Sequence, residues 1–240
     1  MTSGTMMHDT KLPLWKWMLA IYMIVESKKG VSANQLKRTL EVSYRTAWYL
    51  CHRIRRALET PDREMKGAVE LDCTYIGGKK TGMGAGNSPQ FKAMLLGAIE
   101  RDSKEIRVKM SDKSENTESA KTVGKFLRAN ISAKSFVYTD QGKGVRAAVK
   151  KHTGVSTFSV NHAANEWVRG DVHTNSVEGA WSLFQRSIVG AFHQISVKHL
   201  PAYLDEFEFR YNNRENPYIF RTAVLEVLKA ENIEYKALVS

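Results

Sequence analysis

The chain has 240 residues, 42% of them hydrophobic and 10% aromatic, enough to bury a core in one or two domains. A formal charge of +11 and a pI near 9.6 favour a polyanionic partner, and no polybasic run flanks a spanning segment, so a membrane is not expected. Two cysteines, Cys51 and Cys73, give neither a disulfide framework nor a zinc pattern, which leaves reduced thiols and a cytoplasmic, nucleoid-associated location as the expectation.

In chain order, the first 66 residues carry twelve Lys/Arg against six Asp/Glu and read as a basic helical module. The apolar run "LPLWKWMLAIYMIV" holds Lys16 and falls short of the roughly 20 residues that span a bilayer, so it is expected to be a core helix from Leu12 to about Ser27. No A-x-A-like cleavage site follows it. "SANQLKRTL" opens with Ser32-x-x-Gln35, a capping-box pattern, and leads to a third helix, "SYRTAWYLCHRIRRALE". There Ala47, Leu50, Cys51, Ile54 and Leu58 share one stripe, while Arg45, Tyr49, His52 and Arg56 fall opposite. A short helix, a turn and a basic helix predict a helix-turn-helix that enters a DNA groove; a small bundle with a solvated basic face is the competing reading.

After "TPDREMKG" the period changes. "AVELDCTYIGG", "FKAMLLGAIERD" and "KEIRVKMSD" read as consecutive strands, "ESAKTVGKFLRANI" as a helix, "KSFVYTDQGKG" as a buried strand, "GVRAAVKKH" as a helix and "VSTFSVN" as a strand, with helix predominating from Ser176. This order predicts an α/β fold, a mixed sheet flanked by helices. "GGKKTGMGAGNSP" lacks the P-loop arrangement and is expected to be a hairpin loop that touches DNA with Lys79 and Lys80.

Asp72 stands inside an apolar strand and Asp140 at the end of another, positions where α/β sheets often carry their sites. An unpaired carboxylate inside such a strand would be costly. Taken alone, Asp140 is also an ordinary turn opener. Glu178 has two local readings. With Asn175 it matches a capping box that opens a helix; aimed at Asp72 and Asp140 it would complete an oxygen-ligand site for Mg²⁺.

"VELDCTYIGGKK", "FVYTDQG", "VNHAANEWVRGDVHTNSVEGAWSLFQRSIVGAFHQIS" and "YLDEFEFRYNNR" together resemble insertion-sequence DDE transposases of the ISXO-type group, relatives of the Merlin superfamily. The resemblance implies a ribonuclease H-like catalytic core that binds two divalent ions, Mg²⁺ or Mn²⁺, and acts on double-stranded transposon-end and target DNA as a homo-oligomer. It implies Asp72, Asp140 and Glu178 as catalytic metal ligands, with Asn175 the residue that would assist or substitute for Glu178 and serve as the helix N-cap. Residues 1–64 would be the DNA-binding module, 65–215 the catalytic domain and 216–240 a C-terminal helix and tail. Arg45, His52, Arg56, Lys79, Lys80, Arg186, Arg210 and Arg214 are the candidate DNA contacts.

The chain departs from the family pattern in three places. It begins past the position of the usual zinc ribbon, so no zinc module is expected in it. Cys73 stands where an acid often follows the first Asp, and is read as a small buried residue. Gln185, followed by Arg186, stands where a lysine is common. A transposase that cuts ends and joins the 3′-hydroxyl to target DNA is the leading expectation, with a catalytically degenerate DNA-binding relative as the alternative.

Overall fold

The computed structural model describes residues 2–61, 63–77, 92–112, 118–140, 143–151, 156–160 and 173–239. Lys79 and Lys80 lie outside them, so the expected hairpin loop has no structural account.

Among the described residues five strands form one sheet: β1 (Ala68–Gly77), β2 (Lys92–Glu100), β3 (Ile106–Met110), β4 (Phe136–Asp140) and β5 (Ser156–Val160). Their order is β3-β2-β1-β4-β5, with β1–β2 and β2–β3 antiparallel and β1–β4 and β4–β5 parallel. The three strands predicted to be consecutive make the antiparallel half. The two separated by helical sequence make the parallel half, since parallel neighbours need a crossover. Those crossovers carry α4 (Ala120–Asn130) and α5 (Lys143–Lys151).

Strand side chains alternate between faces, and the alternation decides where the acids go. Val69 and Leu71 of β1, Met94, Leu96 and Ala98 of β2 and Val137 of β4 share one buried cluster with Val123, Phe126 and Leu127 of α4. On α4 those three positions follow helical spacing. Full burial of each such side chain is worth about 1.5–3 kcal/mol. Cys73, expected to be buried, is half-buried and packs against the same cluster. Glu70 and Asp72 therefore belong to the opposite face. This sheet, residues 61–182 and residues 196–201 form one compact unit.

The other unit comprises residues 1–60, 183–195 and 202–240. Its first three helices are α1 (Leu14–Glu26), α2 (Ala33–Leu40) and α3 (Tyr44–Ala57). Ser32 Oγ accepts from the Gln35 backbone N–H at 3.1 Å, and Ser43 Oγ from that of Thr46 at 3.1 Å, so each start is capped where the sequence offers a serine. Between them Glu41 takes a left-handed conformation and closes the turn. Trp17, Ile21, Ile24, Leu36, Leu50 and Ile54 lie in its core. So do Phe209 of α7 (Leu200–Asn212) and Ile219, Ala223 and Val227 of α8 (Ile219–Lys229). The units thus follow packing rather than the chain order that boundaries at 64 and 215 describe, because residues from 202 onward supply the apolar surface that the first helices need. Among the described residues no helix is long and apolar enough to cross a membrane.

In the helical unit Tyr49 donates its hydroxyl to the Ile233 carbonyl, Arg53 reaches Asn232 Oδ1 at 2.6 Å, and Arg45 lies over the Tyr235 ring at 4.2 Å. His52 is 1% exposed, with its ring 4.2 Å from Trp48 and 5.7 Å from Tyr203. The expectation that His52 faces DNA is therefore corrected. The side of α3 opposite its apolar stripe is not open but partly covered by α7 and residues 232–235. Arg45 and Arg56 remain exposed.

A buried ion cluster ties α3 to α7. Arg55 Nε donates to Glu206 Oε2 at 2.6 Å, with both side chains at most 1% exposed. Arg210 stands 3.2 Å from the other Glu206 oxygen and donates to the Ser27 and Lys28 carbonyls at 2.8 and 2.9 Å. The expectation that Arg210 contacts phosphate is therefore corrected: it fastens α7 to the carbonyl end of α1, where a guanidinium is favoured. Burial alone would lower the Arg55 pKa, but Glu206, Cys51 and Tyr203 together hold it above its ordinary value. Burial pushes the Cys51 thiol up to about 11, so it stays protonated and unreactive.

Candidate active site

The face of the sheet away from α4 meets the start of α6 (Asn175–Ser187). Gly97 of β2 pairs with Asp72 of β1, and a Cβ at Gly97 would collide with Trp181 Cζ2 and stand 2.9 Å from Cη2. The Trp181 indole therefore packs closely against the glycine that pairs with Asp72. Glu178 precedes Trp181 by three residues, and side chains at that spacing share a helix face. Asp72 and Glu178 are both half-buried.

The third position follows from register. The β1–β4 ladder pairs Glu70 with Tyr138 and Leu71 with Thr139, and the next residues on the two strands are Asp72 and Asp140. By alternation, positions 72 and 140 belong to the face that carries Glu70 and α6. The Asp140 side chain lies outside the described residues. Among the described side chains no three His, Cys, Asp or Glu are grouped closely enough to hold a metal ion.

Gly97→Ala is expected to lower stability by about 1–3 kcal/mol, because the added methyl must displace a packed indole. Thermal unfolding of the two proteins measures it.

The start of α6 differs from the expected capping box. The Glu178 backbone N–H bonds to the Thr174 carbonyl at 3.1 Å, so Thr174 precedes the first turn and Asn175 is its first residue rather than the N-cap. The Thr174 hydroxyl donates to Glu178 Oε1 at 2.6 Å. The first-turn donors instead find Glu70: Ser176 N–H at 2.9 Å and Val177 N–H at 3.2 Å both reach its Oε2. Two of the first N–H groups of α6 are thus taken by Glu70 rather than by Glu178.

The remaining candidates separate by location. Asn175 and Arg186 are exposed on α6. Arg56 pairs with Glu59 at 3.1 Å, and Arg214 is exposed, donating to the Tyr211 carbonyl at 2.7 Å. Gln185 is exposed as well. Sequence reasoning missed Glu70, Gly97 and Thr174, although Glu70 carried a signal: a charged residue two positions before Asp72 in an apolar strand must share its face.

A family model described as an ISXO2-like transposase domain matches residues 64–212, more than half of the chain. The chain belongs to this transposase family. An uncharacterized protein in transposable element ISH50 of Halobacterium salinarum is 29% identical over 244 residues, covering 95% of this chain and 77% of that protein. The cryo-electron microscopy structure of a simian T-cell lymphotropic virus intasome, in complex with the PP2A regulatory subunit B56 gamma, is similar over 79% of this chain and 64% of the matched chain. That likeness has a TM-score of 0.35 at 10% identity. The ISXO2-like domain contains the whole sheet, the three acid positions and α6.

As a donor set the three positions suit a hard cation. Carboxylate oxygens are what Mg²⁺ and Mn²⁺ prefer, and Asp72 and Glu178 stand on facing elements, with the capping demand on α6 met by Glu70.

Proposed function

We infer that this chain is the transposase of an insertion sequence, which cuts double-stranded DNA at the element's ends and joins the freed 3′-hydroxyl to target DNA. The observation that carries this is the sheet register: Asp72 and Asp140 each directly follow the paired residues Leu71 and Thr139 on neighbouring strands, on the face against which Trp181 of the Glu178-bearing helix packs. The strand order β3-β2-β1-β4-β5, half antiparallel and half parallel, supports a ribonuclease H-like core. Asp72, Asp140 and Glu178 would hold Mg²⁺ or Mn²⁺, probed as two ions. Bound there, such ions activate the attacking oxygen and stabilise the leaving one. The protein's own part is to hold three carboxylates on rigid elements, with Trp181 over Gly97 setting the depth at which α6 rests on the sheet. Asn175, at the exposed start of α6, is assigned no ligand role.

The three N-terminal helices supply the helix-turn-helix, with Arg45 and Arg56 as its exposed cations and Arg186 and Arg214 as further phosphate contacts. Double-stranded DNA is the partner, bound by a homo-oligomer in the nucleoid.

The test is a nicking and strand-transfer assay on end-containing DNA with Mg²⁺, comparing the parent with variants of each acid. Cleavage that survives all three changes removes the assignment. Salt-dependent binding with no cleavage by the parent would instead make the chain a degenerate DNA-binding relative, the reading that Gln185 favours. Binding itself has a separate signature. The Arg45→Ala, Arg56→Ala double variant is expected to flatten the slope of log K against log salt by about 1–2, since each phosphate contact contributes roughly 0.9. Fluorescence anisotropy across a salt series measures it.

A further inference from the structure

We propose that Glu70 is a positioning residue for the third acid: from within the sheet it caps α6 and thereby sets where Glu178 stands beside Asp72. The proposal rests on the assignment of Asp72, Asp140 and Glu178 as the metal-binding acids.

Glu70 is fully buried, and its two oxygens are surrounded by donors. Oε2 accepts the Ser176 and Val177 backbone N–H groups at 2.9 and 3.2 Å. Oε1 accepts the Ser176 hydroxyl at 3.1 Å and Arg101 Nε at 2.9 Å, with His173 Nδ1 at 3.4 Å. Arg101 also donates to the His173 carbonyl at 2.8 Å and lies over the Tyr138 ring at 4.1 Å, so the residue that clamps Glu70 holds the chain entering α6 as well. With this shell filled, Glu70 is not a fourth ligand.

A helix is usually capped by a residue of its own chain segment, which fixes where the helix starts but not where it sits. Here the cap comes from the strand that carries Asp72. Glu70 and Asp72 are two residues apart on one face, about 7 Å along a rigid strand. The bonds from Ser176 and Val177 to Glu70 therefore tie the first turn of α6 to the same strand as the first acid. Glu178 lies in that turn. A carboxylate is the right group for the task, because a helix N-terminus favours negative charge and Arg101 balances it. Ligands must be held within about 0.5 Å of their working geometry, and a misplacement of about 1 Å can cost roughly 100-fold in rate.

The experiment compares full-length Glu70→Gln, Ser176→Ala and Glu178→Gln with the parent. It reads three quantities: affinity for end-containing DNA, cleavage rate at saturating DNA, and Mn²⁺ half-saturation by electron paramagnetic resonance. Glu70→Gln is expected to lower cleavage about 10–100-fold and to raise the Mn²⁺ half-saturation in parallel, with DNA affinity unchanged. Ser176→Ala, which removes one bond from an exposed side chain, is expected to shift both in the same direction by a smaller factor. A Glu70→Gln protein that melts earlier yet cleaves and binds Mn²⁺ like the parent overturns the proposal and leaves Glu70 a structural cap. Should that variant fail to fold, parental cleavage and Mn²⁺ binding by Ser176→Ala overturn it equally. If Glu178→Gln itself cleaves like the parent, the active-site assignment falls and this role falls with it. If Glu178→Gln is inactive while the other two are parental, only the positioning role is lost.

Discussion

Asp72→Asn is expected to cut the rate of strand cleavage by about 10³-fold or more while leaving affinity for end-containing DNA near the parental value. Metal-assisted stabilisation of the developing charge is worth several kcal/mol, and each 1.36 kcal/mol is a factor of ten in rate. An amide keeps the shape of the aspartate but loses the charge that draws a divalent ion from water. Asp72 is the most informative of the three acids because its place is the best defined, with Gly97 beside it and the Trp181 indole over that glycine. Its neighbours Leu71 and Cys73 point to the other face, so the substitution leaves the core packing of β1 intact. Asp140→Asn and Glu178→Gln are expected to behave alike. The measurement is single-turnover nicking with Mg²⁺, with thermal unfolding confirming that each variant is folded. Parental cleavage by the folded Asp72 variant would remove it from the site.

Glu206→Gln is expected to destabilise the helical unit by about 3–5 kcal/mol, the usual cost of removing one partner from a buried ion pair. Two guanidiniums depend on this carboxylate, Arg55 at 2.6 Å and Arg210 at 3.2 Å, and all three side chains are buried. Burial already lowers the Arg210 pKa, with Glu206 opposing that shift. Without the anion, two cations would face each other in a site with little water to screen them. At roughly 2–4 °C per kcal/mol for a chain of this size, the melting temperature falls by about 6 °C or more. Differential scanning calorimetry reads this directly. A shift within about 1 °C would mean that the cluster contributes no net stability. Gly30 adds to the sensitivity of this region: it has a positive φ of 78°, and a Cβ there would stand 2.6 Å from Glu206 Oε1.

Much of the sheet was legible because strand alternation and turn residues are local properties. The runs around Asp72 and Asp140 were read as strands from their apolar neighbours, whereas the pairing of β1 with β4, which β2, β3 and α4 separate in the chain, is a property of the folded sheet. α2 was equally legible, since Ser32 caps the helix that follows it. The reading failed where a face was judged from one helix alone. His52 and Arg210 are polar residues on amphipathic helices, and helical spacing by itself assigns such residues to solvent. His52 is instead enclosed by Trp48 and Tyr203, and Arg210 is consumed by Glu206 and the carbonyls at the end of α1.

By itself the sequence determined that the chain is basic and α/β, that two acids interrupt apolar strands, and that a third opens a helix, because charge, periodicity and capping patterns are written in neighbouring residues. Only the tertiary structure decided which carboxylate takes the first N–H groups of α6. "HTNSVEGAW" reads locally as a self-capped helix, yet its first-turn donors are satisfied by Glu70, about a hundred residues earlier in the chain. A hydrogen bond between a strand and a helix leaves no spacing in the sequence. It exists because the sheet buries a carboxylate that must find donors, and the bare N–H groups at the start of α6 are the ones within reach.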